Sequence, residues 1–166
     1  VRTITERKNQ TIMRKKYETY LNKNIKNLQK DFFERLLFRN TASISSTFKE
    51  ETAMLRLDHI KSYYLMYCKC ITNEVKSLEK EYYFAHIAEH YLQEHIPDAL
   101  IFSYGNALYS LCPNIDEIQL TKIISFIHSE LKKNGVLMSA AVSNCSETLS
   151  DIPLLRSQTV EIFNTL

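Results

Sequence analysis

Apolar residues in the first part of the chain recur at helical spacing. Leu21, Ile25, Leu28, Phe32 and Leu36 follow one another at intervals of four, three, four and four, with Lys, Asn, Gln and Asp between them. That period puts them on one face of a helix, which either packs on its own domain or pairs with a copy of itself. No Pro or Gly interrupts residues 4–39, so one long helix is predicted there, polar and basic before Leu21. Residues 40–46 are a polar break, and Ser45 or Ser46 can cap a second helix over residues 47–57. Tyr63–Ile71 is apolar at almost every position, the pattern of an interior strand covered on both faces. Thr72 or Asn73 can cap a helix running to about Glu94, which His95-Ile96-Pro97 ends.

Residues 99–104 and 107–112 are two short β-prone runs joined by Gly105-Asn106. A two-residue loop needs positive φ, which Gly and Asn tolerate, so the pair predicts a tight hairpin. Residues 113–116 lead into a helix to Lys133, with Ile118, Leu120, Ile123, Ile124, Ile127 and Leu131 expected on its buried side. Gly135 is the second of two glycines in the chain and marks that helix's stop. Residues 136–142 read as the last strand, and residues 150–166 as a closing helix.

The core order is therefore strand, helix, strand, strand, helix, strand, the split βαβ or ferredoxin-like arrangement. The expected fold class is α+β, within α/β in its broad sense. It consists of a four- to five-stranded sheet, mixed parallel and antiparallel, with helices on one face and the long helix in front. Residues 1–40 are expected to form a linker or signalling helix, and residues 41–166 the sheet domain.

Composition narrows the function. The 166 residues are 45% hydrophobic and 24% charged, enough for one domain with a real core. No apolar run is long enough to span a membrane. No signal peptide is visible and the chain starts at Val1, so it is expected to be cut from a longer, cytoplasmic protein. Charge is uneven: residues 1–39 hold 11 Lys/Arg and 4 Asp/Glu, a net of +7, against 10 and 15, a net of −5, in residues 40–166. The aromatic residues do not interleave with the basic ones as a nucleic-acid stacking surface would, so the basic stretch reads as a solvated helix face. Cys68, Cys70, Cys112 and Cys145 fall in or beside apolar runs, as reduced buried thiols do. Cys68 and Cys70 share a strand face, but no second Cys/His pair stands at zinc-site spacing.

With this element order, the hairpin Tyr104-Gly105-Asn106-Ala107-Leu108-Tyr109 resembles that of the GGDEF fold of diguanylate cyclases, Tyr-Gly-Gly-Asp-Glu-Phe. Tyr104 and Gly105 match and Tyr109 stands for the Phe, whereas Asn106, Ala107 and Leu108 replace the residues that carry the chemistry. Residues 136–143 look like the family's later strand and residues 150–166 like its closing helix. Residues 27–40 look like the helix that enters degenerate GGDEF-like domains in AraC-type response regulators of bacteria. In those proteins a receiver domain and linker helix precede such a domain, and a helix-turn-helix pair follows it. The resemblance implies a non-catalytic regulatory or dimerisation domain that acts with a second copy of itself and with its flanking domains. DNA would be met only through a C-terminal domain outside this chain.

An active cyclase needs carboxylates to hold Mg²⁺ against a triphosphate. Residues 62–73 contain no Asp or Glu, and Ala107 and Leu108 cannot bind a metal. No enzyme activity and no cofactor is therefore expected. His86-Ile87-Ala88-Glu89-His90 does spell the H-x-x-E-H pattern of a zinc hydrolase. His86 and His90 would lie one turn apart with Glu89 as base, and Glu161 is the acid available as third ligand. The readings thus stand as a regulatory module with a dimer or signalling seam at Leu21, Ile25, Leu28, Phe32 and Leu36, a small-molecule or nucleotide sensor using the hairpin at Tyr104, Asn106 and Tyr109, and, remotely, the zinc hydrolase.

Overall fold

The computed structural model describes residues 4–38, 47–71 and 78–165. Helix α1 (Ile4–Leu37) precedes a short α2 (Phe48–Met54). There follow β1 (Tyr63–Ile71), α3 (Leu78–His95), β2 (Leu100–Tyr104), β3 (Ala107–Pro113), α4 (Glu117–Lys132), β4 (Leu137–Val142) and α5 (Ile152–Asn164). The break over residues 40–46 and the caps expected at Ser45, Ser46, Thr72 and Asn73 lie outside the described residues.

The fold is α+β, and the strand order is β2-β3-β1-β4. Helix α3 carries the chain from β1 over β3 to β2, and α4 carries it from β3 over β1 to β4, giving the ferredoxin-like order. Each neighbouring pair is antiparallel, with Tyr67 opposite Tyr109 and Ala141, and Phe102 opposite Tyr109. The expected parallel pairing is absent: a split βαβ unit makes β1 parallel to β2, but β3 lies between them. The described residues form four strands and no fifth.

Local chemistry accounts for the joints. Asp116 caps α4 by accepting the Gln119 N–H at 2.7 Å. At the other end the N–H of Gly135 donates to the Lys132 carbonyl and that of Val136 to the Leu131 carbonyl, a Schellman stop. Gly135 supplies the positive φ of 74° this motif needs. In the hairpin only Gly105 takes a positive φ, of 58°, as a type II′ turn requires. The Asn106 carbonyl accepts the Cys70 N–H at 2.8 Å and so extends the β1–β3 ladder into the turn.

Helices cover both faces of the sheet, not one. Met66, Cys68, Cys70, Leu108 and Cys112 face α3 and α4, meeting Phe84, Ala88, Leu92, Leu120, Ile127 and Leu131. Tyr63, Leu65, Tyr67, Tyr109 and Leu111 face the other way, against Phe32, Phe33, Leu36 and Leu37 of α1 and Ile152 and Leu155 of α5. A strand apolar at odd and even positions alike needs this double cover. Helix α1 also guards the β2 edge. Lys26 Nζ donates to the Pro97 carbonyl at 2.8 Å, and Lys30 Nζ reaches Glu89 of α3 at 3.5 Å. Buried Gln29 donates to the Leu55 carbonyl at 2.8 Å, and Arg35 pairs with Glu51 at 2.7 Å, which ties α2 to the same helix.

The second half of α1, within the expected linker or signalling helix, supplies part of the core of the sheet domain. Phe33→Ala is expected to destabilise the protein by about 3–5 kcal/mol, through lost burial and the cavity left behind. Met13→Ala, on the exposed part of the same helix, should change stability by less than about 0.5 kcal/mol. Urea unfolding of the two variants, at protein concentrations low enough to exclude association, checks the contrast.

Candidate functional site

Helix α1 changes character along its length. Residues 4–20 are all exposed, whereas Leu21, Phe32, Phe33, Leu36 and Leu37 are buried. Leu21, Phe32 and Leu36 of the expected seam are buried within their own chain, and Ile25 and Leu28 pack against the same cluster. That stripe is consequently occupied, sharing the cover of this sheet face with α5. A different row remains open: Met13, Tyr17 and Tyr20 are exposed large side chains at four- and three-residue spacing. Gln10 and Asn24 extend the row in both directions at helical period. Tyr17 Oη donates to the sulfur of Met54, itself 47% exposed, at 2.9 Å, so α2 adds to the same patch.

The three hairpin residues expected to face a ligand stand in different surroundings. Tyr104 stands 75% exposed at the tip, while Tyr109 is 8% exposed and wedged between Tyr67 (ring centroids 4.9 Å apart) and Phe38 (6.0 Å). Asn106 occupies the turn, and its carbonyl is used by β1. Leu108, in the strand after the turn, is fully buried against α3 and α4.

Nor do His86, Glu89 and His90 gather a third ligand. The two imidazoles are exposed, with ring centroids 6.5 Å apart, while Glu89 engages Lys30 and His90 reaches Glu94 at 3.6 Å. Glu161 belongs to α5, which packs on the face of the sheet opposite α3. Among the described residues no group of three His, Cys, Asp or Glu side chains is placed to hold a metal.

Three of the four cysteines are buried, and Cys145 is exposed, against expectation. Cys145 follows β4 in the segment where the Ser143 hydroxyl and the Ser146 backbone complete the hydrogen bonding of β1. That segment hugs the sheet through its backbone and leaves the thiol outside. Burial pushes the Cys68 thiol up strongly, and it pushes Cys112 from 9.0 up to about 11. Burial likewise raises the Tyr63 phenol, whose hydroxyl donates to the Thr148 carbonyl at 2.7 Å.

A spacious cavity of the described residues lies where no site was anticipated. It is a cleft of about 620 Å³ at the end of the sheet remote from the Gly105-Asn106 turn. The segments before β2 and after β3 meet the first turns of α4 there, with Ile96, Ile115, Ile123 and Phe126 as its apolar lining. In the sequence Ile123 reads as core, while Ile96 and Ile115 stand in the connecting segments beside Pro97 and Pro113. Ile118, expected to be buried on α4, is 70% exposed.

Among the described residues no helix is long and apolar enough to cross a membrane. The chain matches no family model, no curated protein and no solved structure.

Native protein treated with a thiol reagent should label at Cys145 alone, with Cys68, Cys70 and Cys112 reacting only on unfolding; mass spectrometry of the labelled peptides decides. Cys68, Cys112 and Tyr63 hold their protons more tightly when folded, so their contribution to stability is fully present below their unfolded values. For Cys112 that contribution is lost as pH rises from 9.0 through about 11. Denaturant midpoints should therefore fall progressively above pH 9.0.

Proposed function

We propose that this chain is a non-catalytic regulatory module that pairs with a second copy of itself through residues 4–20 of α1. In the fuller reading it joins a receiver-type input domain to a helix-turn-helix output in a bacterial transcription regulator of AraC type. Any DNA contact then belongs to the output domain. The hairpin and the resemblance of residues 27–40 to the entry helix of degenerate GGDEF-like domains support the fuller reading.

The observation that carries the proposal is the two-part helix. Its second half is anchored in the core, so any movement or pairing of the first half is transmitted to the sheet domain. A helix of this length standing alone in water is marginal, because tertiary packing supplies most helical stability. Covering the Met13, Tyr17 and Tyr20 row with the same row of another chain gives it that packing. Helical period turns Lys8 and Lys15 to the far side of α1, while Arg14 and Lys16 flank the row on either side. Gln10 and Asn24 would interrupt the row with polar pairs. Such interruptions specify register at a cost in stability and suit a contact that must change.

Sedimentation of the full chain should give a dimer at concentrations on the order of 0.1 mM. A chain beginning at Leu21 should be folded and monomeric. It is the informative truncation, since removing all of α1 would also remove Phe32, Phe33, Leu36 and Leu37 from the core. Tyr17→Glu combined with Tyr20→Glu should weaken pairing at least about tenfold, roughly the effect of 1.4 kcal/mol. A full chain that stays monomeric over this range would refute the pairing.

A further inference from the structure

We infer that the cleft between α3, α4 and the segments flanking β2 and β3 binds a short apolar peptide with both termini free. Its volume of about 620 Å³ lies within the roughly 300–1,000 Å³ typical of small-ligand pockets. A dipeptide or tripeptide fits that space. The lining is apolar where a side chain would rest: Ile96 is buried, Ile115 and Ile123 are half-buried, and Phe126 is 41% exposed. The His95 ring stands edge-on to Phe126 with centroids 5.6 Å apart and lengthens this wall.

Charge selects the ligand. Asp98 and Lys122 line the same cleft, are both exposed and carry opposite signs. They form no ion pair with each other, and neither side chain has a partner among the described residues. The Gln119 side-chain amide, on the same rim, is also unpartnered. An apolar cleft with one free anion and one free cation is complementary to a ligand with an ammonium, a carboxylate and an apolar body between them. The peptide ammonium would meet Asp98, and its carboxylate would meet Lys122 and Gln119.

The cleft is built rather than left over from packing. Asn114, in its wall, has a positive φ of 53° and a side chain engaged through both its oxygen and its nitrogen. Its Oδ1 accepts the N–H groups of Lys61 and Ser62, and its Nδ2 donates to the His59 carbonyl. On the other side Lys26 holds the Pro97 carbonyl. Walls fixed in this way lower the ordering cost of binding.

The test is titration of the full chain with leucyl-phenylalanine, its N-acetyl form and its C-terminal amide, followed by calorimetry and by amide shifts of α4. The free dipeptide should bind and shift Gln119, Ile123 and Phe126. Each cap should weaken binding about three- to tenfold, the range of an exposed ion pair with added hydrogen bonding. Lys122→Ala should abolish the penalty of the amide cap alone, and Asp98→Asn that of the acetyl cap alone, as coupled pairs require. Both residues are exposed, so unchanged thermal midpoints will show that the variants are folded. No binding of the free dipeptide at concentrations up to about 10 mM overturns the inference. So does equal binding of capped and free forms, or a cap penalty that neither variant changes. The inference does not rest on the pairing of α1: oligomeric state and peptide binding are read separately, and either can fail alone.

Discussion

The central constraint is that β1 is apolar on both faces and sits inside the sheet. Tyr63, Leu65 and Tyr67 point one way, Met66, Cys68 and Cys70 the other, and all six are buried. The crossover helices α3 and α4 can cover only one of these faces. The other must be covered from outside the βαββαβ unit, and the cover comes from the two ends of the chain, α1 and α5. What looks like a linker in front of a domain is therefore part of its core. The remainder of α1, beyond the edge of the sheet, has no sheet face to cover.

Much of this was legible in the sequence. Strand β1 runs over the expected residues, and the Gly105 turn, the Asp116 cap and the Gly135 stop each rest on side-chain or backbone chemistry confined to a few neighbouring residues. The partner of an apolar stripe is not local information. Leu21, Ile25, Leu28, Phe32 and Leu36 have the same spacing whether they meet a second helix or their own sheet. The two-faced pattern of β1 could have decided it, because it called for a second layer that the βαββαβ unit lacks. The wrong expectation of helices on one face, and the open choice between own-sheet and partner packing for the Leu21–Leu36 stripe, share this origin.

The candidate sites were less legible, for the same reason. Tyr104, Asn106 and Tyr109 are close in sequence, yet Tyr109 belongs to the core and Tyr104 to the exposed tip. The His86, Glu89 and His90 pattern survives as a helix face, but Glu161 lies across the sheet from it. The cleft between Pro97 and Pro113 draws its lining from three separate stretches of chain. Isoleucine spacing on α4 cannot reveal that Ile123 borders a cavity while Ile127 is fully packed.

One continuous helix is core in its second half and, as proposed, a pairing surface in its first. Native-state hydrogen exchange along α1 tests this most directly. Amides of residues 21–37 should open only with global unfolding, at every protein concentration. Amides of residues 4–20 should exchange quickly in dilute protein and become protected as concentration rises. Rapid exchange through residue 37 would contradict the anchoring of the second half. Protection of residues 4–20 that does not depend on concentration would contradict the pairing of the first.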